Sequence, residues 1–270
     1  MRVLAGTASP HAGPGHDSGR VRGEIRAMTT TTETPTAATS STTTLITGAN
    51  KGLGYETARR LLEAGHTVWM GSRDEERGQR AADALGGRFV LLDVTSDTSV
   101  ASAVETIAAE GGLDVLINNA GITGPQSSPA DLTGDDALQV YNTNVVSVVR
   151  TTNAFLPVLR RSTAPTIVNV TSGLGSFAAV QDPERLESQI VAPLYTSSKS
   201  AVTMLTVQYA KAFPEIRINA ADPGYTATDL NGNNGTQTVT EGTDAIVELA
   251  TRAGQGATGT FIDRAGVVAF

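Results

Sequence analysis

Two hydrophobic periods alternate along most of this chain. From Thr44 onward, short β-type apolar runs take turns with stretches whose apolar residues recur every three or four positions. The runs predict strands at 44–47, 66–71, 88–92, 113–117, 166–170, 216–221 and 260–263. Between them the helical spacing predicts helices to about Ala64, from about Asp74 to Leu85, and from a Ser96 or Asp97 cap to about Glu110. A long helix is expected over about 135–161, with Leu138, Val145, Val148, Phe155 and Leu159 on its apolar face. Pro157 should bend or end it. A helix carrying Tyr195 runs to about Phe213, and a short one from Thr240 or Thr243 to about Ala253. Strict alternation of strand and helix is the pattern of a parallel sheet covered on both faces, an α/β doubly wound fold in a single domain, 44–270.

Residues 1–43 lack this pattern. Thr29 to Thr44 is nearly all Thr, Ser, Ala and Pro, which buries too little apolar surface to offset the entropy of ordering, so 1–43 is expected to be a disordered N-terminal extension. Val3-Leu4-Ala5 is too short for a secretory core, and Met28 offers a second start, with 1–27 an extension upstream of it.

Composition narrows the chemistry. Of 270 residues none is Cys, which excludes disulfides and thiolate chemistry. The net charge of -7 speaks against nucleic acid or an anionic membrane as partner, and no apolar run is long enough to span a bilayer. A cytoplasmic location is the expectation. Two of the three His, His11 and His16, fall in the extension, which leaves no set for a metal site or a His-based triad. His66 opens a strand and is expected to be structural. A hydrolase built on Ser172 therefore lacks its base.

The unusual residues cluster after the strands, where ligands bind on such sheets. The turn Gly48-Ala49-Asn50-Lys51-Gly52-Leu53-Gly54 lies between a strand and a helix, where backbone N–H groups can approach a pyrophosphate. Tyr195 and Lys199 lie one helical turn apart, and an ammonium beside a phenol favours the phenolate, lowering the phenol pKa. Arg73 follows the second strand, where an Arg accommodates a 2′-phosphate and an acidic residue selects NAD. Lys51 can reach the same phosphate. Asp74 is the one opposing carboxylate.

Taken in order, Thr47-Gly48-x-x-x-Gly52-x-Gly54, Asp93, Asn118-Asn119-Ala120-Gly121, Asn144, Ser172, Tyr195-x-x-x-Lys199 and Pro223-Gly224 resemble the short-chain dehydrogenase/reductase family, in its carbonyl-reductase-like branch. The resemblance covers 44–270. It implies a Rossmann fold and hydride transfer between a nicotinamide cofactor and a carbonyl or alcohol carbon. It further implies a catalytic set in which Tyr195 is the general acid/base, Lys199 binds the ribose and lowers the Tyr195 pKa, Ser172 polarises the carbonyl, and Asn144 holds a water of the proton relay. The implied cofactor site comprises Gly48, Asn50, Lys51, Gly52, Leu53, Gly54, Arg73, Asp93 at the adenine, Val94, Asn119, Ala120, Gly121, Tyr195, Lys199, Pro223, Gly224 and Thr226. NADP(H) is expected, with NAD(H) the alternative. The substrate is expected to be a small ketone or aldehyde, uncharged near the reacting carbon, in a pocket rimmed by Ile122, Leu174, Leu194, Tyr225 and Leu230. A non-catalytic dinucleotide-binding sensor is the competing reading.

Two departures from the family pattern stand out. The stretch between Ser172 and Tyr195 is longer than usual, and its extra part, about 180–194, is expected to wall or cover the pocket. Near the C-terminus Ala265-Gly266 and Phe270 replace the usual Gly-Gly and Trp. A homodimer or homotetramer is expected through the helices carrying Asn144 and Tyr195, and a monomer if the insertion covers that surface.

Overall fold

The computed structural model describes residues 41–252 and 254–270. The extension expected over 1–43 therefore lies almost wholly outside the described residues. The first strand, β1, spans Thr43–Thr47, one residue earlier than the pattern suggested. In chain order there follow α1 (Gly52–Glu63), β2 (Thr67–Ser72), α2 (Glu75–Leu85), β3 (Arg88–Leu91), α3 (Asp97–Ala109) and β4 (Val115–Asn118). Then come α4 (Gly134–Tyr141), α5 (Ser147–Leu159), β5 (Thr166–Val170), α6 (Phe177–Gln181), α7 (Pro193–Ala212) and β6 (Arg217–Ala221). The chain closes with α8 (Val239–Gly242), α9 (Asp244–Thr251), β7 (Phe261–Asp263) and β8 (Gly266–Val267).

The strands form one sheet in the order β3-β2-β1-β4-β5-β6-β7-β8, parallel throughout except for the terminal β7–β8 pair. Successive side chains of a strand face opposite sides, and two cores result. Leu45, Leu116, Ile167 and Ile218 pack with Phe155 and Leu159 of α5 on one face. Ile46, Ile117 and Val168 pack with Leu61 of α1 and Ile246 of α9 on the other. The order reverses between β1 and β4, which opens a crevice beyond Thr47 and Asn118. This is the Rossmann-type doubly wound fold. Among the described residues no helix is long and apolar enough to cross a membrane.

Four details differ from the pattern reading. The long helix expected over 135–161 is two helices joined by a π-helical turn, Asn142–Val146, with Asn144 inside it. A poor helix former sits where the ladder widens, and such bulges accompany functional positions. Pro157 lies within the last turn of α5, which runs on to Leu159. The C-terminal helix is split into α8 and α9. The insertion is also structured: α6 and a 3-10 turn, Leu186–Gln189, lead to Pro193, which opens α7 two residues before Tyr195.

Candidate active site

The glycine turn takes the form its residue types demand. Gly48 and Gly52 have φ of 65° and 55°, the left-handed region open to glycine. Gly54 has an ordinary φ but no room: a Cβ there would stand 2.5 Å from the Gly48 carbonyl oxygen and 2.6 Å from Asn119 Nδ2. Gly54→Ala is thus expected to strain the turn by about 1–3 kcal/mol, seen as a Tm lower by about 3–10 °C in thermal unfolding. The start of α1 has no side-chain cap and no acidic residue in its first turn, so its N–H groups remain available to an anion. Leu53 packs towards Gly242, and Thr228 stands over Gly52.

Thr47 ties this turn to the next strand. Its hydroxyl accepts from the N–H groups of Asn119 and Ala120, both at 3.0 Å. Asn119 in turn donates Nδ2 to the Thr47 and Gly48 carbonyls, at 2.8 and 3.2 Å. Asn118 donates to Asn169 Oδ1 at 2.8 Å and accepts from Thr151. Both asparagines hold neighbouring strand ends together.

At the second strand, Arg73 is exposed; against burial, two hydrogen bonds from Thr95, with smaller help from the Arg73 and Arg150 charges, hold the Asp93 carboxyl below the usual range. Asp74 caps α2, accepting from the Arg77 N–H at 3.0 Å, and pairs with the Arg77 side chain. Lys51 pairs with Asp229 at 3.1 Å on the surface. Val94 is buried in the core, and its carbonyl accepts from Arg150. His66 shares a 2.8 Å hydrogen bond with Thr44, the structural role expected of it.

The carboxyl end of β5 and the start of α7 bring the remaining residues together. Lys199 is 5% exposed and donates Nζ to the Val170 carbonyl at 2.9 Å. Its Nζ lies 5.6 Å from the centre of the Tyr195 ring. The Ser172 hydroxyl faces the Tyr195 phenol. Because Ser172 Oγ accepts from the Leu174 N–H, its own proton can be donated elsewhere. Asn144 uses both amide protons: it exchanges hydrogen bonds with the backbone of Ile122 in both directions, each 2.9 Å, and donates to Ser198 Oγ at 2.9 Å, with one oxygen lone pair left over. It clamps the loop after β4 to α7. Ser198, within the Tyr195-to-Lys199 stretch, was without a role in the sequence reading. Gly121 completes the group, since a Cβ there would lie 3.4 Å from Asn144 Oδ1 and 3.6 Å from Lys199 Nζ.

The surroundings of the pair act against the lowering of the Tyr195 pKa expected from Lys199. Burial and the Asp222 carboxylate push the half-buried Tyr195 phenol up to about 12, and Ser172 partly opposes them. Burial also pushes the Lys199 ammonium down to about 8, with Asp222 opposing. Desolvation outweighs the mutual effect in this structure.

Around this group, Ile122, Leu174 and Leu194 are half-buried while Tyr225 and Leu230 are exposed. Pro223, Gly224 and Thr226 form a tight turn in which Thr226 Oγ1 donates to the Pro223 carbonyl at 2.8 Å. The insertion brings a pair of charges that the sequence reading did not single out. Arg185 makes a two-pronged contact with Glu187, at 2.9 and 3.2 Å, and Glu187 Oε1 lies 2.5 Å from where a Cβ of Gly173 would stand. The insertion therefore lies against the residue next to Ser172.

A doubly wound sheet with a glycine turn at its switch point, and with Ser, Tyr and Lys gathered beyond β5, defines a Rossmann-type oxidoreductase. The family model for short chain dehydrogenases matches residues 42–238, and the chain belongs to that family. A (+)-neomenthol dehydrogenase of Capsicum annuum is 29% identical, with 86% of this chain and 98% of that protein aligned. Short-chain dehydrogenase/reductase 1 of Saponaria officinalis is 33% identical, over 84% and 95%. Among solved structures, an NADPH-bound carbonyl reductase from chicken fatty liver superposes with a TM-score of 0.75 at 27% identity, covering 85% of this chain and 99% of that one.

Proposed function

We propose that this chain is an NADP(H)-dependent reductase of ketones and aldehydes, reversible as an alcohol dehydrogenase, with Tyr195 as its general acid. The observation that carries the reading is the convergence of Ser172, Tyr195 and the buried Lys199 beyond β5. The resemblance to a neomenthol dehydrogenase and to an NADPH-bound carbonyl reductase supports it.

The residues present fit a nicotinamide dinucleotide. An uncapped helix start follows glycines whose side chains would fill the turn, and Gly121 lies against Lys199. The 48–54 turn would hold the pyrophosphate, Asp93 and Val94 the adenine, and Lys199 the ribose. Asn119, Ala120, Gly121, Pro223, Gly224 and Thr226 would flank the remainder. Bound there, the nicotinamide supplies the hydride. The chain's part is to meet the charge that develops on the carbonyl oxygen. Ser172 Oγ and Tyr195 Oη each donate a hydrogen bond to it, and Tyr195 Oη then gives up its proton. Asn144 fixes the loop and the helix that set this geometry.

The test is NADPH consumption over a panel of ketones, aldehydes and quinones. Tight NADPH binding with no turnover anywhere would favour the sensor instead. For the cofactor, Asp74 is committed to its helix cap while Arg73 stays exposed, which favours a 2′-phosphate. NADPH is expected to exceed NADH at least about tenfold in kcat/KM, equivalent to roughly 1.4 kcal/mol. Arg73→Ala with Lys51→Ala should erase most of that ratio and leave NADH turnover largely intact; a wild type that prefers NADH overturns the assignment.

Assembly follows the same reading. Val146 at the π turn and Met204 on α7 are exposed apolar residues on the elements expected to meet in a dimer or tetramer. Light scattering at micromolar concentration is expected to give a mass of at least two chains, and a monomer would count against it.

A further inference from the structure

Asp222 is a buried carboxylate with no part in the chemistry so far. It follows β6 directly and is 4% exposed. Ala221 before it pairs in register with Val170, whose carbonyl holds the Lys199 ammonium at 2.9 Å. The carboxylate thus lies one strand across and one residue beyond that contact. Its Oδ1 accepts from the Gly224 N–H at 2.8 Å. Its Oδ2 would be 2.9 Å from a Cβ on Gly173, the neighbour of Ser172. Burial, with the Glu187 and Asp263 carboxylates, raises the Asp222 pKa, while the backbone N–H groups of Gly224 and Gly173 oppose this by favouring an acceptor, the ionised form.

The charged and titratable groups facing it come from three elements. Lys199 and Tyr195 approach from α7, Glu187 with its partner Arg185 from the insertion, and Asp263 from β7. Arg185 and Glu187 pair through a two-pronged contact, yet the Glu187 charge, with that of Asp263, still acts on Asp222. Asp222 is the charge that acts on the Tyr195–Lys199 pair.

We propose that Asp222 is a positioning residue that acts as a counter-charge behind Tyr195 and Lys199, keeping both protonated and biasing the site towards carbonyl reduction. The proposal rests on Tyr195 being the acid. An anion beside two groups opposes loss of a proton from either, so its direction is the same for both. Its field is among the causes that raise each of them. Alcohol oxidation, which needs the phenolate, is then confined to alkaline pH.

The experiment is Asp222→Asn in the full chain. The phenolate of Tyr195 is followed by ultraviolet difference spectra, with Tyr195→Phe in each background as the reference. This readout needs no turnover. The phenolate-to-phenol ratio of Tyr195 at a given alkaline pH is expected to rise about tenfold, equivalent to one pH unit. The acidic limb of kcat/KM for alcohol oxidation should move down by a similar amount. An unchanged Tyr195 titration overturns the counter-charge, whatever happens to activity. A shifted titration in an enzyme that turns over no carbonyl supports the counter-charge and sinks the reductase reading instead. Should Asp222→Asn fail to fold, carboxyl NMR of the wild type, assigned through the backbone, decides the matter. Asp222 ionised at neutral pH supports the proposal, and Asp222 protonated there overturns it.

Discussion

Replacing Tyr195 with Phe is expected to lower turnover at least about 10²-fold, the scale of losing a general acid, with the fold and NADPH binding unchanged. The substitution keeps the ring and removes only the hydroxyl. The Lys199 contact with the Val170 carbonyl and the Asn144 clamp do not involve that hydroxyl, so their geometry should persist. Steady-state rates, far-ultraviolet circular dichroism and NADPH titration check the three parts. A variant that keeps most of its activity would place the acid elsewhere.

A phenol pushed up to about 12 suits this role in one direction. During reduction the oxygen it serves becomes an alkoxide, a much stronger base than phenolate, so transfer from Tyr195 runs downhill even with its pKa raised. In oxidation the same group must first lose its proton, and burial opposes that. Removal of water is the largest cause for both the raised Tyr195 and the lowered Lys199, and the Asp222 charge adds to the first and opposes the second.

The sequence carried the fold because each strand is a short apolar run and each helix has its own period, with turn residues between them. It also carried the residues that converge, because Ser172, Tyr195 and Lys199 sit at a strand end and one helical turn apart. The π turn was half legible: Asn144 marked a weak point in a helix, but the widening depends on hydrogen bonds to Ile122 and Ser198, far along the chain. The insertion was visible as extra length, yet the Arg185–Glu187 pair against Gly173 is a tertiary contact with no periodic signal. Asp222 was in plain view before Pro223-Gly224. Its burial beside Lys199 comes from strand register, which the local pattern does not encode. The surroundings of Tyr195 were hidden for a related reason. Spacing places an ammonium near a phenol but says nothing of how dry the site is.

Lys199→Met should separate stability from activity in opposite directions. An ammonium titrates near 10.5 when unfolded and near 8 in the folded site. Its folded pKa is lowered, so the folded state is penalised wherever the group must stay charged. The penalty is full below pH 8 and fades between pH 8 and 10.5. It is on the order of 3 kcal/mol, against about 1 kcal/mol lost with the hydrogen bond to the Val170 carbonyl. Methionine is of similar length and carries no charge. The variant is therefore expected to melt about 5 °C higher at pH 7, with the gain shrinking steadily above pH 8. Turnover should fall at least about 10²-fold and NADPH bind more weakly, since the proposed function has one ammonium serve both ribose and phenol. Thermal unfolding at pH 7 and pH 10, beside NADPH titration and rates at pH 7, gives both halves. A Tm that does not rise at pH 7 would mean the buried ammonium is not destabilising. Unchanged NADPH affinity would remove Lys199 from the ribose and leave it only beside Tyr195.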